Sequence, residues 1–299
     1  MYHLFHHFRV QIPQGQIFWR ETGSGPTIIF LHGSWTDSSQ WVPLMQHLNL
    51  DYHCVAPDIL GCGESRSFTK IHPSICLEVE CLAEQIKALK LMEFCLVGQG
   101  LGGWIATRYA LKYPDQVKGL VVMSPEGVEF PNYKKEWGRM RQLASNFSPV
   151  IWFLKLIYPL VFLFGQGKKI KQGLNTRKIM LQWPVANQLL YLRRWAEIQG
   201  EMLNQDLQGL RLPTLVLQGN EDTAIAYQQS KTYSQIAPMA QCYLIEGGQP
   251  NLPLQMPEVI AQYIREFVNT RVQFSEQPSP EILDEDQPQD EHYYQETAW

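Results

Sequence analysis

Residues 94–103, FCLVGQGLGG, constrain the fold of this chain more than any other stretch. The apolar run at 95–97 predicts a buried strand, Gly98 begins a tight turn, and residues 104–113 continue with helical spacing. A strand, a glycine turn and a helix in this order are the setting of the pattern G-x-S-x-G, which places a nucleophilic serine at the vertex of the turn. Here the vertex is Gly100, which has no side chain. The sequence therefore raises the question of whether this chain has the chemistry that the pattern normally carries.

Strands and helices alternate along most of the chain on both sides of this turn. The spacing of apolar residues predicts strands at 8–12, 16–21, 27–31, 54–57, 94–97, 117–123, 214–218 and 241–245. Helices are predicted at 38–48, 75–89, 104–113, 226–236 and 257–269. Because strands that alternate with helices form parallel sheets, we expect an α/β fold with a mostly parallel sheet and helices on both faces.

Two segments depart from the alternation and define the expected domains. Residues 126–207 are rich in aromatic residues, lysine and arginine, and they predict a helical lid inserted between two strands. Residues 273–299 are acidic and rich in proline and glutamine, a composition that predicts a disordered tail. The remaining segments, 1–125 and 208–272, would form the core.

Composition excludes several classes of protein. With 299 residues and 45% hydrophobic content, the chain can bury one sizeable core. The six cysteines are scattered, without a C-x-x-C pair or a His/Cys cluster, so we expect reduced thiols, no metal site and no cofactor. The first residues lack a basic region followed by an apolar one, which predicts no signal peptide and a cytoplasmic protein.

Six short pieces give the chain a resemblance to a known family. They are LHGSW at 31–35, PDILGCGES at 57–65, VGQGLGG at 97–103, YPDQVKGLVV at 113–122, LQGNED at 217–222 and MPE at 256–258. In this order they resemble the α/β-hydrolase family over about residues 10–270. The resemblance implies the α/β-hydrolase fold, with a lid between two strands of the sheet.

The resemblance also shows where the catalytic residues should stand. The family needs a serine on the turn, an acid after a late strand and a histidine after the last strand. The matching positions here are Gly100, Asp222 and Gln249, so only the acid remains. None of the eight histidines lies between residues 73 and 291. The chain therefore resembles a member with a degenerate triad, a pseudo-hydrolase.

Other parts of the family's site are expected to survive. Backbone donors of an oxyanion hole are implied at Leu101 and at Ser34 or Trp35, because a glycine at the vertex leaves the backbone unchanged. The residues expected to line a candidate ligand pocket are His32, Gln99, Ser124, Glu126 and Trp152.

Two functions of different classes follow from this pattern. The first is a protein without hydrolase activity that binds a small apolar ligand, a membrane surface or a protein partner. The second is an active hydrolase that acts on esters or similar small apolar substrates with an atypical nucleophile. A serine without a base is a weak nucleophile, and the absence of a Ser–His pair therefore favours the first.

The predicted lid has an uneven distribution of charge and apolar residues. Residues 131–199 contain twelve Lys/Arg and two Glu, whereas residues 275–299 contain eight acidic residues and no Lys or Arg. The apolar run 148–165 holds Pro149 and Pro159, which argue against a transmembrane helix. It would pack as a lid over the pocket, or lie with the basic residues Lys168, Lys169, Lys171, Arg177 and Lys178 against an anionic membrane or an acidic partner. No nucleic acid is expected as a partner, because no recognition module is present.

Overall fold

The computed structural model describes residues 5–68, 72–149, 151–153, 158 and 167–274. The acidic tail from residue 275 onward lies outside the described residues, as does most of the apolar run 148–165. None of the helices in the described residues has the length and apolar character needed to span a membrane.

The nine strands of the described residues form a single sheet. In chain order, β1 to β9 span His6–Ile12, Gly15–Thr22, Thr27–Leu31, His53–Pro57, Arg66–Ser67, Phe94–Gln99, Val117–Met123, Thr214–Gly219 and Ala240–Ile245. Their spatial order is β1-β2-β4-β3-β6-β7-β8-β9, with the short β5 paired to β2. The strand β2 pairs antiparallel with β1, β4 and β5. From β4 through β3, β6, β7 and β8 to β9, every pair of neighbouring strands is parallel. This confirms the predicted α/β-hydrolase fold with its mostly parallel sheet.

Helices cover both faces of this sheet. In chain order, α1 to α10 span Val42–Leu48, Ile75–Ala88, Leu101–Lys112, Tyr133–Ala144, Gly167–Met180, Pro184–Asn187, Trp195–Glu201, Ala224–Ile236, Leu252–Gln255 and Pro257–Arg271. Residues alternate between faces along a strand, so β3 sends Ile28 and Phe30 into one core and Ile29 and Leu31 into the other. The first core is closed by α1 and α10, and the second by α2, α3 and helices that follow β7.

Most predicted elements are confirmed, and the differences have local causes. The strands at 27–31 and 117–123 have the predicted bounds. The helix predicted at 38–48 begins as a 3-10 turn, Ser38–Trp41, before α1 continues it. The helix α3 begins at Leu101, three residues earlier than predicted, because two glycines that resemble a turn lie in its first turn.

The segment 126–207 lies between β7 and β8, and its described residues include the helices α4 to α7. Its Trp137 and Leu190 are joined by a hydrogen bond of 2.9 Å from the indole Nε1 to the carbonyl. It contacts the rest of the chain where Trp104 Nε1 donates to the Glu201 carbonyl at 3.1 Å. The division into a core and a separate lid stays a prediction.

Candidate functional site

Gly100 stands between the last residue of β6 and the first of α3, with φ 51° and ψ −114°. Its N–H donates to the Met123 carbonyl at 3.0 Å. Its carbonyl accepts from the backbone N–H groups of Trp104 and Glu126, both at 3.1 Å. These bonds join the end of β6, the start of α3 and the segment after β7 at one point, the vertex of the turn.

The turn is tight because its flanking glycines lie against other backbone. A Cβ on Gly98 would lie 2.5 Å from the Gly102 carbonyl oxygen, and one on Gly102 would lie 2.1 Å from that of Leu31. At Gly100 the situation differs, since a Cβ there would meet nothing closer than 3.7 Å. The vertex therefore has room for a side chain but adopts a backbone conformation that favours glycine.

Of the backbone donors expected at the vertex, the Leu101 N–H lies next to Gly100, and the donor expected at Ser34 or Trp35 stays a prediction. Leu101 is the first residue of α3, where a backbone N–H has no partner within the helix. In the described part of the chain, no hydrogen bond from the N–H of Leu101 is found. Ser34 is buried, and the indole Nε1 of the neighbouring Trp35 is also buried and has no hydrogen-bond partner among the described residues. The Leu101 N–H is therefore free to donate to a ligand oxygen beside Gly100.

Asp222 follows β8 and is engaged by neighbours other than a histidine. Its Oδ2 accepts from the Ser124 hydroxyl at 2.7 Å and from Gln218 Nε2 at 3.2 Å. Its Oδ1 accepts from the backbone N–H of Thr223. Ser124 is held at φ 45°, a conformation that side chains with a Cβ rarely adopt. The carboxylate that the family presents to a histidine here joins the ends of β7 and β8.

Gln249 does not contact Asp222. Its Nε2 donates to Glu221 Oε2 at 3.3 Å, and its backbone N–H donates to Gln255 Oε1 at 2.9 Å. The residue is exposed. Of the three positions of the family's triad, Gly100 therefore has no side chain. The Asp222 carboxylate is hydrogen-bonded to a serine, and the Gln249 amide is hydrogen-bonded to a different carboxylate.

Glu126 lies beside the vertex and is the titratable group closest to it. The Ser34 hydroxyl donates to its Oε2 at 3.0 Å. Burial raises the pKa of Glu126 to about 7, and the hydrogen bond from Ser34 opposes this shift. Burial also raises the pKa of the Tyr133 and Tyr191 phenols, and the charge of Glu126 contributes to both shifts. We call Gly100, Leu101, Ser34 and Glu126 together the vertex site.

Three residues expected in a ligand pocket have other places. His32 is fully buried, with Nδ1 2.8 Å from the Gly33 carbonyl and Nε2 accepting from the Ile59 N–H at 3.0 Å. Gln99 is buried too, accepting from Gln40 Nε2 at 3.0 Å and donating to the Pro250 carbonyl at 2.6 Å. Both side chains support loops, because their polar groups are already paired. Trp152 is 76% exposed, so it lies on the surface instead of lining an enclosed pocket.

A cavity among the described residues lies elsewhere, between β2, β3 and the helix α2. Glu78, Cys81 and Gln85 line it together with apolar residues of the core. Burial raises the pKa of Glu78 to about 8, against a hydrogen bond of 3.2 Å from the Leu60 N–H. The sequence analysis missed this site, although a glutamate on the apolar face of α2 was a signal for it. Among the described residues no group of three or more candidate ligands could hold a metal ion.

Comparison with known proteins agrees with the fold. The model of a family described as alpha/beta hydrolase fold matches residues 26–257. A 2-hydroxy-6-oxo-2,4-heptadienoate hydrolase of Pseudomonas putida is 24% identical over 241 residues, which cover 75% of this chain and 82% of that protein. The human monoacylglycerol lipase ABHD6 is 25% identical over 264 residues, which cover 82% and 76%.

Solved structures give the same fold at lower identity. A 2-hydroxy-6-oxo-6-phenylhexa-2,4-dienoate hydrolase from Rhodococcus sp. strain RHA1 matches with a TM-score of 0.68 and 16% identity, covering 90% of this chain and 100% of that one. A putative lipase from Acinetobacter baumannii matches with a TM-score of 0.68 and 21% identity, covering 89% and 91%.

Proposed function

The chain belongs to the alpha/beta hydrolase fold family, and from that premise we propose that it has lost serine–histidine catalysis and binds a small apolar ligand at the former catalytic centre. The observation that carries this proposal is Gly100 at the vertex of an otherwise ordered turn. In a serine protease, removal of the nucleophile lowers the rate by ~10⁶, leaving only the contributions of the oxyanion hole and of binding. A glycine at the vertex likewise leaves only the oxyanion hole and binding.

The environment of the other two triad positions supports the proposal. Asp222 has its hydrogen-bonding capacity used by Ser124, Gln218 and the backbone. Gln249 is turned toward Glu221. If the triad were still used, the carboxylate of Asp222 would be expected to be free to orient the residue at position 249. The hydrogen bonds that it makes instead favour a protein that no longer uses the triad.

What remains at the vertex site suits binding. The Leu101 N–H can donate to a ligand, and the Ser34 hydroxyl and the Glu126 carboxyl can both take part in hydrogen bonds. Apolar residues of the segment after β7, such as Leu189 and Leu190, belong to the core cluster on this face of the sheet. Polar groups at one point beside apolar surface are the usual features of a small-molecule site.

Reaction with a serine-directed fluorophosphonate tests the proposal. We expect no labelling of the full-length protein and no hydrolysis of short p-nitrophenyl esters above the buffer rate, because the positions of the nucleophile and the base hold Gly100 and Gln249. A known serine hydrolase under the same conditions is the positive control. Stoichiometric labelling, mapped by mass spectrometry to any residue, would overturn the proposal.

The alternative is an active hydrolase that acts on esters with an atypical nucleophile. The observation in its favour is the Ser34 hydroxyl at 3.0 Å from a carboxyl whose pKa is about 7, a suitable value for a general base near neutral pH. The relatives named above are hydrolases. If esters are hydrolysed, Ser34→Ala and Glu126→Gln should each abolish the activity, whereas Ser124→Ala should not.

We further propose a cytoplasmic protein whose lid docks onto an anionic membrane surface or an acidic protein partner. The support is an apolar surface formed by Phe147, Trp152 and Phe153, which are 86%, 76% and 59% exposed. The exposed Lys171 and Lys178 follow in α5. Exposed apolar side chains on a segment that also carries lysines favour anionic lipid over nucleic acid, which has no recognition module here.

A further inference from the structure

The vertex site contains a carboxyl oxygen without a partner, directed toward empty space. A Cβ on Gly100 would lie 3.7 Å from Ser34 Oγ, 3.8 Å from Glu126 Cδ and 3.9 Å from Glu126 Oε1. The Ser34 hydroxyl bonds to Oε2, and in the described part of the chain no donor reaches Oε1. A ligand atom in the place of the missing side chain would therefore be close to both Oε1 and the Ser34 hydroxyl.

Glu126 is held in position by the backbone. Its own N–H donates to the Gly100 carbonyl at 3.1 Å, and the Leu203 N–H donates to the carbonyl of the next residue, Gly127, at 2.8 Å. Gly127 has φ 89°, and a Cβ there would lie 2.4 Å from the indole of Trp104. The carboxyl is thus attached to a turn that only glycine permits, and its position does not have to be organised when a ligand binds.

Two tyrosine phenols lie near Glu126, and a second carboxyl group lies near one of them. The phenols of Tyr133 and Tyr191 lie close enough for the charge of Glu126 to affect their ionisation. Glu129 affects Tyr133 in the same way, and its Oε1 is buried and without a hydrogen-bond partner in the described residues. The ring of Tyr133 contacts those of Phe130 and Trp195, with centroids 5.3 and 6.2 Å apart.

No basic group balances this charge among the described residues. Burial and the Ser34 hydrogen bond account for the ionisation of Glu126, and no lysine, arginine or histidine contributes to it. A carboxylate that is taken out of water without a cation is destabilised, so a ligand that brings a positive charge gains affinity from the pairing.

Building on the proposed binding function, we propose that the vertex site binds the ammonium group of an amphipathic amine, with Glu126 Oε1 and the Ser34 hydroxyl as its partners in the space left by Gly100. The apolar part of the amine would extend along the apolar residues that follow β7. An alcohol can make the hydrogen bonds but brings no charge. A carboxylate ligand is disfavoured because it would face Glu126 with no cation between them.

The test compares three probes with the same eight-carbon chain: octylamine, octan-1-ol and octanoate. Isothermal titration calorimetry of the full-length protein at pH 8, below the micellar range of the probes, measures the affinity of each. We expect octylamine to bind at least about tenfold more tightly than octanol, since charge-assisted hydrogen bonds are roughly twice as strong as neutral ones. Octanoate should bind most weakly. Binding of all three with equal affinity, or tightest binding of octanoate, would overturn the inference.

Two variants assign the preference to one carboxyl group. Glu126→Gln keeps the size and the acceptor of the side chain, and it should bring octylamine to the affinity of octanol. Glu136→Gln is the matched control, because this glutamate is on α4 and pairs with Arg139. It should leave all three affinities unchanged. An unchanged preference for octylamine in Glu126→Gln would contradict the inference, provided that the variant unfolds at the same temperature as the parent.

Proton release gives an independent measurement. The phenols of Tyr133 and Tyr191 lie close enough to Glu126 for its charge to affect their ionisation, and burial keeps both phenols neutral near pH 7. With the pKa of Glu126 at about 7, octylamine binding at pH 7 should release about half a proton per ligand, since the carboxyl must ionise. Calorimetry in two buffers of different ionisation enthalpy measures this number. Octanol should release none, and octylamine should release none from Glu126→Gln; unchanged proton release in that variant would exclude Glu126 as the source of the proton.

These outcomes separate this inference from the proposed function. If octanol and octylamine bind equally, a ligand-binding protein remains but the ammonium site does not. If the fluorophosphonate labels a serine while octylamine is still preferred, the protein is catalytic and the charge of its ligand is as inferred. If none of the three probes binds at millimolar concentration, the ammonium site is excluded whatever the labelling shows.

Discussion

Substitution of Gly100 by alanine should destabilise the protein through the backbone alone. Gly100 has φ 51° and ψ −114°, a conformation that costs a residue with a Cβ about 1–3 kcal/mol. The new methyl group would have no neighbour closer than 3.7 Å, so steric overlap adds nothing to this cost. We therefore expect Gly100→Ala to lower the free energy of unfolding by about 1–3 kcal/mol. Gly100→Ser should have a similar effect.

The chain offers two matched controls for the same chemical change. Gly138 lies within the helix α4 and has no atom within 4 Å of its would-be Cβ, so Gly138→Ala should stabilise the protein by about 0.5–1 kcal/mol. A Cβ on Gly102 would lie 2.1 Å from the Leu31 carbonyl oxygen, so Gly102→Ala should be more destabilising than Gly100→Ala. One addition of a methyl group should thus have three different outcomes.

Urea unfolding followed by tryptophan fluorescence measures the three effects, because the nine tryptophans give a strong signal. The midpoint should fall for Gly100→Ala at an unchanged m-value, which would show that stability has changed and that the unfolded state has not. If Gly100→Ala is neutral or stabilising while the two controls behave as expected, Gly100 does not hold a strained conformation. The argument that glycine relaxes the turn would then be wrong.

Three further outcomes are expected. Gly100→Ser combined with Gln249→His should produce weak esterase activity that neither single variant has. Adding Ser124→Ala should increase this activity by freeing Asp222, and no activity in the triple variant would show that the three positions cannot form a working triad. Burial raises the pKa of Glu78 to about 8, so this carboxyl binds a proton more tightly in the folded protein than in the unfolded chain. The free energy of unfolding should therefore fall as the pH rises from about 4.5 to 8, and Glu78→Gln should flatten this dependence in thermal unfolding. Deletion of residues 275–299 should strengthen sedimentation with anionic vesicles at low salt, whereas changing Lys168, Lys169 and Lys171 to Glu should weaken it; no binding by any form would rule out a membrane surface.

The central strands of the sheet could be predicted because they are buried on both faces. Short apolar runs such as residues 27–31 and 117–123 end at polar or glycine residues, and their bounds follow directly from the sequence. The start of α3 could not be predicted in this way. Gly102 and Gly103 resemble a turn in isolation, but packing against the ends of neighbouring strands requires glycine at the first of them, and the helix runs through both. Tertiary contact decides this boundary over local preference.

The site could be predicted in its positions but not in its contacts. The motifs place Gly100 and Asp222 at strand ends, where the sites of open α/β sheets collect. The hydrogen bond from Ser34 to Glu126 joins residues 92 positions apart, and the one from Ser124 to Asp222 joins residues 98 apart. No periodicity or motif specifies such pairs, because they depend on how loops from different strands meet above the sheet. The expectation that Trp152 lines a pocket stays a prediction, and its side chain is 76% exposed among the described residues.

Asp222 illustrates why a surviving residue is weak support for a surviving activity. In the family this carboxylate orients a histidine, but here it accepts hydrogen bonds from Ser124, from Gln218 and from the backbone at the start of α8. Ser124 adopts φ 45° where it donates to Asp222, and a short hydrogen bond at 2.7 Å offsets part of that strain. Loss of the carboxylate would leave the Ser124 hydroxyl and the Gln218 amide without their partner. An aspartate at this position is thus required by the structure alone, and its presence does not argue that catalysis has been kept.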